Sequence, residues 1–130
     1  MTAAISDQLR GTTMNDRFKF RVWNIDKSKY DTDPNFVLDT NGILGEWDSI
    51  ITYNEDKYIV EQCTGLKDKN GNLIYEGDIV GDREDNYIIK WDSERAMFVA
   101  SCDNVDYEIP DVLNPTIEII GNIHEQKEQQ

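Results

Sequence analysis

The chain has 130 residues, and 26 acidic against 13 basic side chains give it a formal net charge of −13. This charge argues against DNA or RNA as a direct ligand, because nucleic-acid binding depends on Lys and Arg neutralising phosphates. It favours solubility, a basic protein partner or cation association. The 38% of hydrophobic residues suffices for one domain, or two small ones sharing a core.

Residues 1–13 are small and polar and precede a second methionine, Met14. We interpret them as an upstream start or an added extension, disordered or with one short helical turn. They lack the basic segment and apolar run of a secretory signal, and no stretch approaches 18 apolar residues. We therefore expect a cytosolic protein in which Cys63 and Cys102 are reduced thiols, most simply small buried side chains.

From Arg17 onwards the pattern is typical of β-strands, beginning with Phe18, Phe20 and Val22 in alternation with more polar residues. No helical period is sustained, and the best candidate for a helical turn is 111–113, ended by Pro115. Segments 24–34 and 39–45 read as loop and turn. Strands are predicted at 18–23, 36–38, 50–53, 58–63, 78–81, 87–91, 96–101 and 117–123.

The segment 64–80, TGLKDKNGNLIYEGDIV, contains two turns. Asn70-Gly71 predicts a hairpin turn of type I′, in which both central residues need positive φ. A second turn precedes the strand that starts near Ile79, and we expect the carboxylate of its aspartate to bond backbone amides of that turn. The structural motif assigned here comprises Asn70, Gly71, Tyr75, Glu76, Gly77 and Asp78.

Strands at short intervals, separated by Gly, Asn and Asp, predict an all-β protein. We predict an N-terminal β region at 14–63, packed with a C-terminal part at 64–123. The C-terminal part is expected to contain the hairpin and a small SH3-like barrel. Residues 124–130 form a polar tail.

The charges are unevenly distributed. Residues 14–30 carry five bases and two acids, a net +3, whereas 31–66 carry eight acids and one base, a net −7. Residues 91–123 carry seven acids and one base, a net −6. The basic start could pair with the acidic remainder within the fold or between subunits, although exposed pairs each contribute only about 0–1 kcal/mol.

Metal binding is poorly supported. The run from Asp31 to Asn35 begins like a calcium loop, but such a loop needs Gly at its sixth position and Glu at its twelfth. Those positions hold Phe36 and Gly42. We expect a solvated loop there, and we expect neither a metal nor a cofactor elsewhere.

Catalytic groups are also weakly indicated. His124, the only histidine, has no second catalytic group near it in the sequence, and Cys63 follows Glu61 and Gln62 rather than a base. Clustered carboxylates could do acid–base work, but turns recruit aspartate for their own backbone bonds. We therefore expect no enzyme. These carboxylates are Asp82, Glu84 and Asp85, and the pair Glu76 and Asp78.

Aromatic side chains are the remaining candidates for a recognition surface, since exposed aromatics often bind peptides. Burial in the core or in a subunit interface is the competing interpretation, because a short chain needs its large side chains for packing. The candidates are Trp23, Trp47, Trp91, Tyr75, Tyr87 and Tyr107.

Three segments resemble the YopX-like family of bacteriophage and prophage proteins: RFKFRVW at 17–23, the block at 64–80, and EIIGNIHE at 118–125. The region 24–58 does not match in detail, and residues 1–13 are outside the family pattern. The resemblance implies a β-rich fold and a small cytosolic protein made in an infected or lysogenic bacterium. It implies no enzyme activity, cofactor or site residue.

Three functions are compatible with the sequence. The leading one is a non-enzymatic accessory protein that contacts a host or phage protein through its acidic surface, in one version by mimicking nucleic acid, and that could form a homo-oligomer. The alternative is a nucleic-acid-associated barrel using the basic segment Arg17–Lys29. A third, enzymatic function would need His124 or Cys63 to meet the turn of Glu76 and Asp78. No membrane partner is expected.

Overall fold

The structure is a computed structural model, and it describes residues 14–32, 35–47, 52, 56–82, 84–113 and 115–125. The predicted leader, residues 1–13, and most of the predicted tail lie outside the described residues. The chain divides into two compact units. The larger unit comprises residues 1–19 and 62–130, and the smaller unit comprises residues 20–61.

The larger unit is built on a five-stranded antiparallel sheet with the strand order β10-β9-β8-β7-β11. In addition, the second part of β5, from Gln62 onwards, pairs with β6, and a 3₁₀ helix spans Met14–Phe18. The elements are β5 (Tyr58–Lys67), β6 (Leu73–Tyr75), β7 (Asp78–Gly81), β8 (Asn86–Asp92), β9 (Met97–Cys102), β10 (Val105–Glu108), the one-turn helix α1 (Ile109–Val112) and β11 (Glu118–Asn122).

The smaller unit contains short antiparallel pairs. β1 pairs with β2, with Trp23 opposite Tyr30, and the first residues of β5 lie beside β1. β3 pairs with β4, and Gly45 forms a bridge with Thr52. The strands are β1 (Phe20–Asn24), β2 (Lys29–Asp31), β3 (Phe36–Leu38) and β4 (Leu44–Glu46).

The core of the larger unit lies on one face of the five-stranded sheet. Ile89 of β8 stands opposite Ala100 of β9, and both are almost completely buried. The helix α1 buries Ile109 and Val112 against them, and Pro110 suits its first turn because that position needs no backbone donor. The buried cluster consists of Ile74, Val80, Ile89, Ala100, Ile109, Val112, Leu113 and Ile117.

The prediction of a type I′ turn at Asn70-Gly71 is wrong. Among the described non-glycine residues, positive φ occurs at Ser28, Ala96, Asp103 and Asn104, and Asn70 is not one of them. Gly71 alone has positive φ, +82°, and its N–H donates to the carbonyl of Asp68. This geometry is a type I turn followed by a left-handed glycine, which is the usual form of a three-residue hairpin loop.

The two-residue turn with positive φ at both positions lies instead between β9 and β10. Asp103 and Asn104 have φ of 52° and 65°, and the flanking residues Cys102 and Val105 are paired. This is the geometry of type I′, which Asp and Asn tolerate better than other residues with a β-carbon.

The all-β class is confirmed. The strand at 36–38 and the hairpin of 78–81 with the following strand are confirmed, and the predicted helical turn begins two residues earlier than expected, at Ile109. The predicted loop at 24–34 contains the strand β2, the predicted turn at 39–45 contains the start of β4, and β10 lies in a stretch to which no element was assigned. The first strand begins at Phe20 because Phe18 ends the 3₁₀ helix. Most of the predicted strand at 50–53 lies outside the described residues. The SH3-like barrel and the predicted domain boundaries stay predictions.

Candidate functional site

The first turn of the block at 64–80 is organised by Asp68, which the sequence analysis did not single out. The residue is 2% exposed. One oxygen accepts the N–H groups of Asn70 and Asn72, each at 2.9 Å, and the other accepts the N–H of Ile119 at 3.0 Å. The same side chain therefore closes the hairpin turn and fastens it to the last strand, β11.

The second turn of the block is likewise held by an aspartate, Asp78, that accepts a backbone N–H. The Tyr75 N–H donates to Asp78 Oδ2 at 2.7 Å, and Asp78 is 2% exposed, so its predicted bonding to its own turn is confirmed. Gly77 has φ of +89°, its N–H donates to the carbonyl of Ile89 at 2.8 Å, and its carbonyl accepts the N–H of Ile123 at 2.9 Å. Every one of these bonds holds backbone together, so the geometry of the motif is explained by the fold.

Cys63 lies in a setting that suppresses thiol chemistry. It is 1% exposed, its Sγ accepts the N–H of Gly65 at 3.3 Å, and burial raises the pKa of the thiol. A raised pKa reduces the thiolate fraction, whereas a nucleophilic cysteine needs a lowered pKa and access to substrate. The structure thus places Cys63 as a packed side chain, as predicted.

We expect the two thiols to differ strongly in native labelling. With a disulfide reagent at neutral pH, half-buried Cys102 should react first, and Cys63 should react only as fast as the larger unit opens. Mass spectrometry of the labelled chain over time would distinguish the sites, with Cys102→Ser as the matched variant. Rapid labelling of Cys63 in that variant under native conditions would contradict the assigned packing.

His124 lies just after β11, in a turn that Asn122 organises. The side-chain oxygen of Asn122 accepts the N–H groups of His124 and Glu125 at 2.9 and 3.1 Å. The backbone N–H of His124 therefore helps to form this turn. The expectation that the chain has no catalytic activity stays a prediction.

Several carboxylates serve turns in the same way. Asp82 accepts the N–H groups of Glu84 and Asp85 at 2.8 and 3.1 Å, and these bonds lower the pKa of the Asp82 carboxyl. Asp39 and Asp92 likewise each accept two backbone N–H groups. Part of the acid content of the chain is therefore explained by turn formation.

A metal centre is not formed by the residues that the structure describes: among them, no group of three or more His, Cys, Asp or Glu could hold an ion. In the calcium-loop hypothesis, positions 33 and 34 lie outside the described residues. Asp39, further along the same segment, uses one carboxylate oxygen for the N–H groups of Asn41 and Ile43.

The smaller unit contains a part-buried ion pair that sequence reasoning missed. Glu61 is 3% exposed, and its Oε1 accepts Arg21 Nε and the Tyr30 hydroxyl, both at 2.8 Å. The Arg21 guanidinium also lies over the Tyr30 ring, 4.2 Å from its centre, and Trp23 contacts the same ring edge-on. Arg21 is thereby held inside the unit by its own contacts.

Bases of the segment Arg17–Lys29 form ion pairs within the protein, which affects its use as a nucleic-acid site. Lys19 forms an ion pair with Asp16 at 3.1 Å, and Arg21 forms one with Glu61. Two of the five bases of the segment are therefore already neutralised locally, which weakens it as a phosphate-binding strip.

An apolar groove of about 340 Å³ opens on the surface of the larger unit. The second part of β5, the start of β9 and the start of α1 form its walls. Glu108, the residue before α1, also lines it and is exposed. The other lining residues are Thr64, Leu66, Met97, Phe98, Ile109 and Pro110.

Exposed aromatic surface lies in the same sheet. Trp91 stands opposite Phe98 in the pairing of β8 with β9, contacts its ring edge-on at 5.0 Å, and is 45% exposed. Tyr107 of β10 is 41% exposed and contacts Tyr87. Among the predicted aromatic candidates, Trp91 contacts Phe98, which lines the groove, whereas Trp23 is buried in the smaller unit.

A second, wider cleft of about 760 Å³ is mixed in character. Lys69 and Glu118 line it and lie 3.8 Å apart, and Asp82 and Glu84 also line it. It offers charged side chains of both signs, and its lining is about as polar as it is apolar, whereas the lining of the groove beside Phe98 is mainly apolar. The groove beside Phe98 is therefore the better candidate for a binding site.

Comparison with known proteins yields a family and a solved structure. A family model described as YopX protein matches residues 19–129. The crystal structure of protein EF1440 from Enterococcus faecalis is similar to the chain at 27% sequence identity with a TM-score of 0.56, covering 85% of this chain and 96% of that one. No curated protein matches. In the described part of the chain, no helix combines the length and apolar character needed to cross a membrane.

Proposed function

The chain belongs to the YopX protein family, and on that premise we propose that it is a non-enzymatic accessory protein of a bacteriophage or prophage. It acts in the bacterial cytosol by binding a host or phage protein. The observation that carries this proposal is the apolar groove lined by Phe98 and by exposed Glu108, on a unit of strongly negative charge. Exposed Trp91 contacts Phe98.

The negative charge of that unit favours a basic protein as the partner. The larger unit contains 17 acids and 9 bases, a net charge of −8. A negative surface repels nucleic acid and attracts basic proteins, and it speeds their association at low salt. Apolar and aromatic surface beside such charge supplies the desolvated contact that most stable protein interfaces need.

Binding is favoured over chemistry by what the acidic and nucleophilic residues do. Asp68, Asp78 and Asp82 each accept backbone N–H groups in turns, and Cys63 is buried with a raised pKa. These side chains have structural roles in the fold, so the groove is the remaining candidate for a functional surface. The basic segment Arg17–Lys29 gains no comparable support as a nucleic-acid site.

Affinity capture from bacterial cells tests the proposal. The tagged full chain, expressed in a host carrying the related phage or prophage, should retain a basic protein in near-equal amount at 0.1 M salt. Part of it should be released at 1 M salt, because the screening length falls from about 10 Å to about 3 Å and weakens the charge attraction but not the apolar contact.

Two results would contradict the proposal. The first is the absence of any retained protein in comparable amount, with a gel shift of DNA or RNA at 50 mM salt in its place. The second is depletion of a metabolite when the pure chain is incubated with a small-molecule extract of the same cells, since that would reveal an enzyme.

A further inference from the structure

We propose that the groove beside Phe98 binds an extended segment of the partner protein, burying one large apolar side chain between Leu66 and Pro110 and placing a Lys or Arg against Glu108. This inference rests on the proposed function and deepens it by naming the kind of segment that is bound.

The size and openness of the groove indicate a side chain rather than a small-molecule ligand. Its volume of about 340 Å³ is near the lower limit of the roughly 300–1,000 Å³ of pockets that enclose whole ligands. The groove is also open at the surface, so a chain passing over it can insert one anchor. Anchors of this kind carry most of the binding energy at protein interfaces.

The lining is apolar even where it contains a hydroxyl. The Thr64 hydroxyl donates to the carbonyl of Ile74 at 2.7 Å and accepts the N–H of Leu66 at 3.1 Å, so it is occupied by the fold. Met97 contributes a pliable thioether and Phe98 a ring already packed against Trp91. A large aliphatic or aromatic anchor therefore fits the walls better than a polar one.

The groove is backed by the core, which keeps it preformed. Phe98 and Leu66 pack against the buried cluster of the larger unit, and Ile109 belongs to that cluster. A wall held by the core loses little conformational freedom when the anchor enters, and preformed sites bind more tightly for this reason.

The charge at the groove specifies basic flanking residues. In the described structure Glu108 makes no side-chain capping bond to α1, so its exposed carboxylate is not required there. Asp111, one turn further along, is exposed as well, whereas Asp106 is already paired with Lys90 at 3.4 Å. A second copy of this acidic chain would bring like charges together, so a basic partner segment is the better occupant.

Selection of short random peptides on the full chain tests the inference. The tightest synthetic peptide is the probe, and we expect it to contain one large apolar residue flanked by Lys or Arg. Glu108→Arg should weaken its binding at least about tenfold, the size expected for loss and reversal of one close charge pair. Glu84→Arg is the matched control, because it makes the same charge change at the wider cleft, and it should weaken binding by less than about twofold.

Amide spectra of the labelled protein locate the probe. Resonances of Leu66, Phe98 and Ile109 should shift on binding, and the melting temperature of Glu108→Arg should match that of the unchanged chain. The inference is overturned if the selection yields no binder, if the shifts map to the wider cleft, or if both variants weaken binding equally. It is also overturned if light scattering shows a dimer that the probe peptide dissociates, since a second copy then occupies the groove. These measurements do not use the cellular partner. A negative result would therefore overturn the inference about the groove, while the proposed function would still be tested by the capture experiment.

Discussion

Replacing Glu61 by Leu should lower the free energy of unfolding by about 2 kcal/mol, because it leaves the part-buried guanidinium of Arg21 without its carboxylate. The Tyr30 hydroxyl loses the same acceptor. Urea denaturation followed by tryptophan fluorescence measures the loss, since Trp23 lies against Tyr30 and reports on this unit.

The double replacement Glu61→Leu with Arg21→Met is the control. Replacing both members of a buried ion pair by apolar residues is often nearly neutral, so the double variant should regain most of the lost stability. A deficit of about 1 kcal/mol should remain for the Tyr30 hydroxyl. If the double variant is less stable than Glu61→Leu alone, the two side chains do not act as a pair.

Replacing Asp68 by Asn should lower the free energy of unfolding of the larger unit by about 2–4 kcal/mol. Asp68 accepts N–H groups on both carboxylate oxygens, whereas an amide has only one oxygen. In either orientation of Asn, the NH₂ group faces a backbone donor inside the turn, and at least one part-buried backbone N–H is left without its acceptor.

Asp82→Asn is the matched control for this prediction, in the same unit. Both N–H groups that Asp82 accepts from neighbouring residues lie on one oxygen, so Asn can keep them. We expect a loss below about 1 kcal/mol for Asp82→Asn. Equal losses for the two variants, measured by urea denaturation followed by circular dichroism, would show that Asp68 does not fasten the hairpin to β11.

The period-2 alternation and the punctuation by Gly, Asn and Asp were sufficient to predict the all-β class. Turn type was not predictable in the same way, because it depends on loop length. Asn70-Gly71 forms part of a three-residue loop closed by Asp68, whereas Asp103-Asn104 contains no glycine but occupies a two-residue loop. Loop length follows from strand register, which is a tertiary property.

The short strands were missed for a related reason. The strand Lys29–Asp31 has little pattern of its own and forms by pairing with β1, where Tyr30 meets Trp23. Val105–Glu108 likewise pairs with β9 across the type I′ turn. Strand preference depends strongly on neighbours, so a short polar segment becomes a strand only where a partner strand is available.

The ion pair and the groove were beyond local reasoning because their parts are far apart in the chain. Arg21 and Glu61 are separated by 40 positions, and only the placement of β5 beside β1 brings them together. The groove combines Leu66, Phe98 and Pro110 from three separate elements. One feature of the sequence could have indicated that Glu61 is buried. It lies two residues before Cys63 in β5, and alternate residues of a strand face the same side.

Capture from cells with two charge variants is the most direct test of our claim that the chain acts by holding a basic partner at the groove. The unchanged chain and Glu84→Arg should retain the same partner in the same amount, and Glu108→Arg should lose most of it. Retention of the partner by Glu108→Arg at the level of the unchanged chain would contradict the claim.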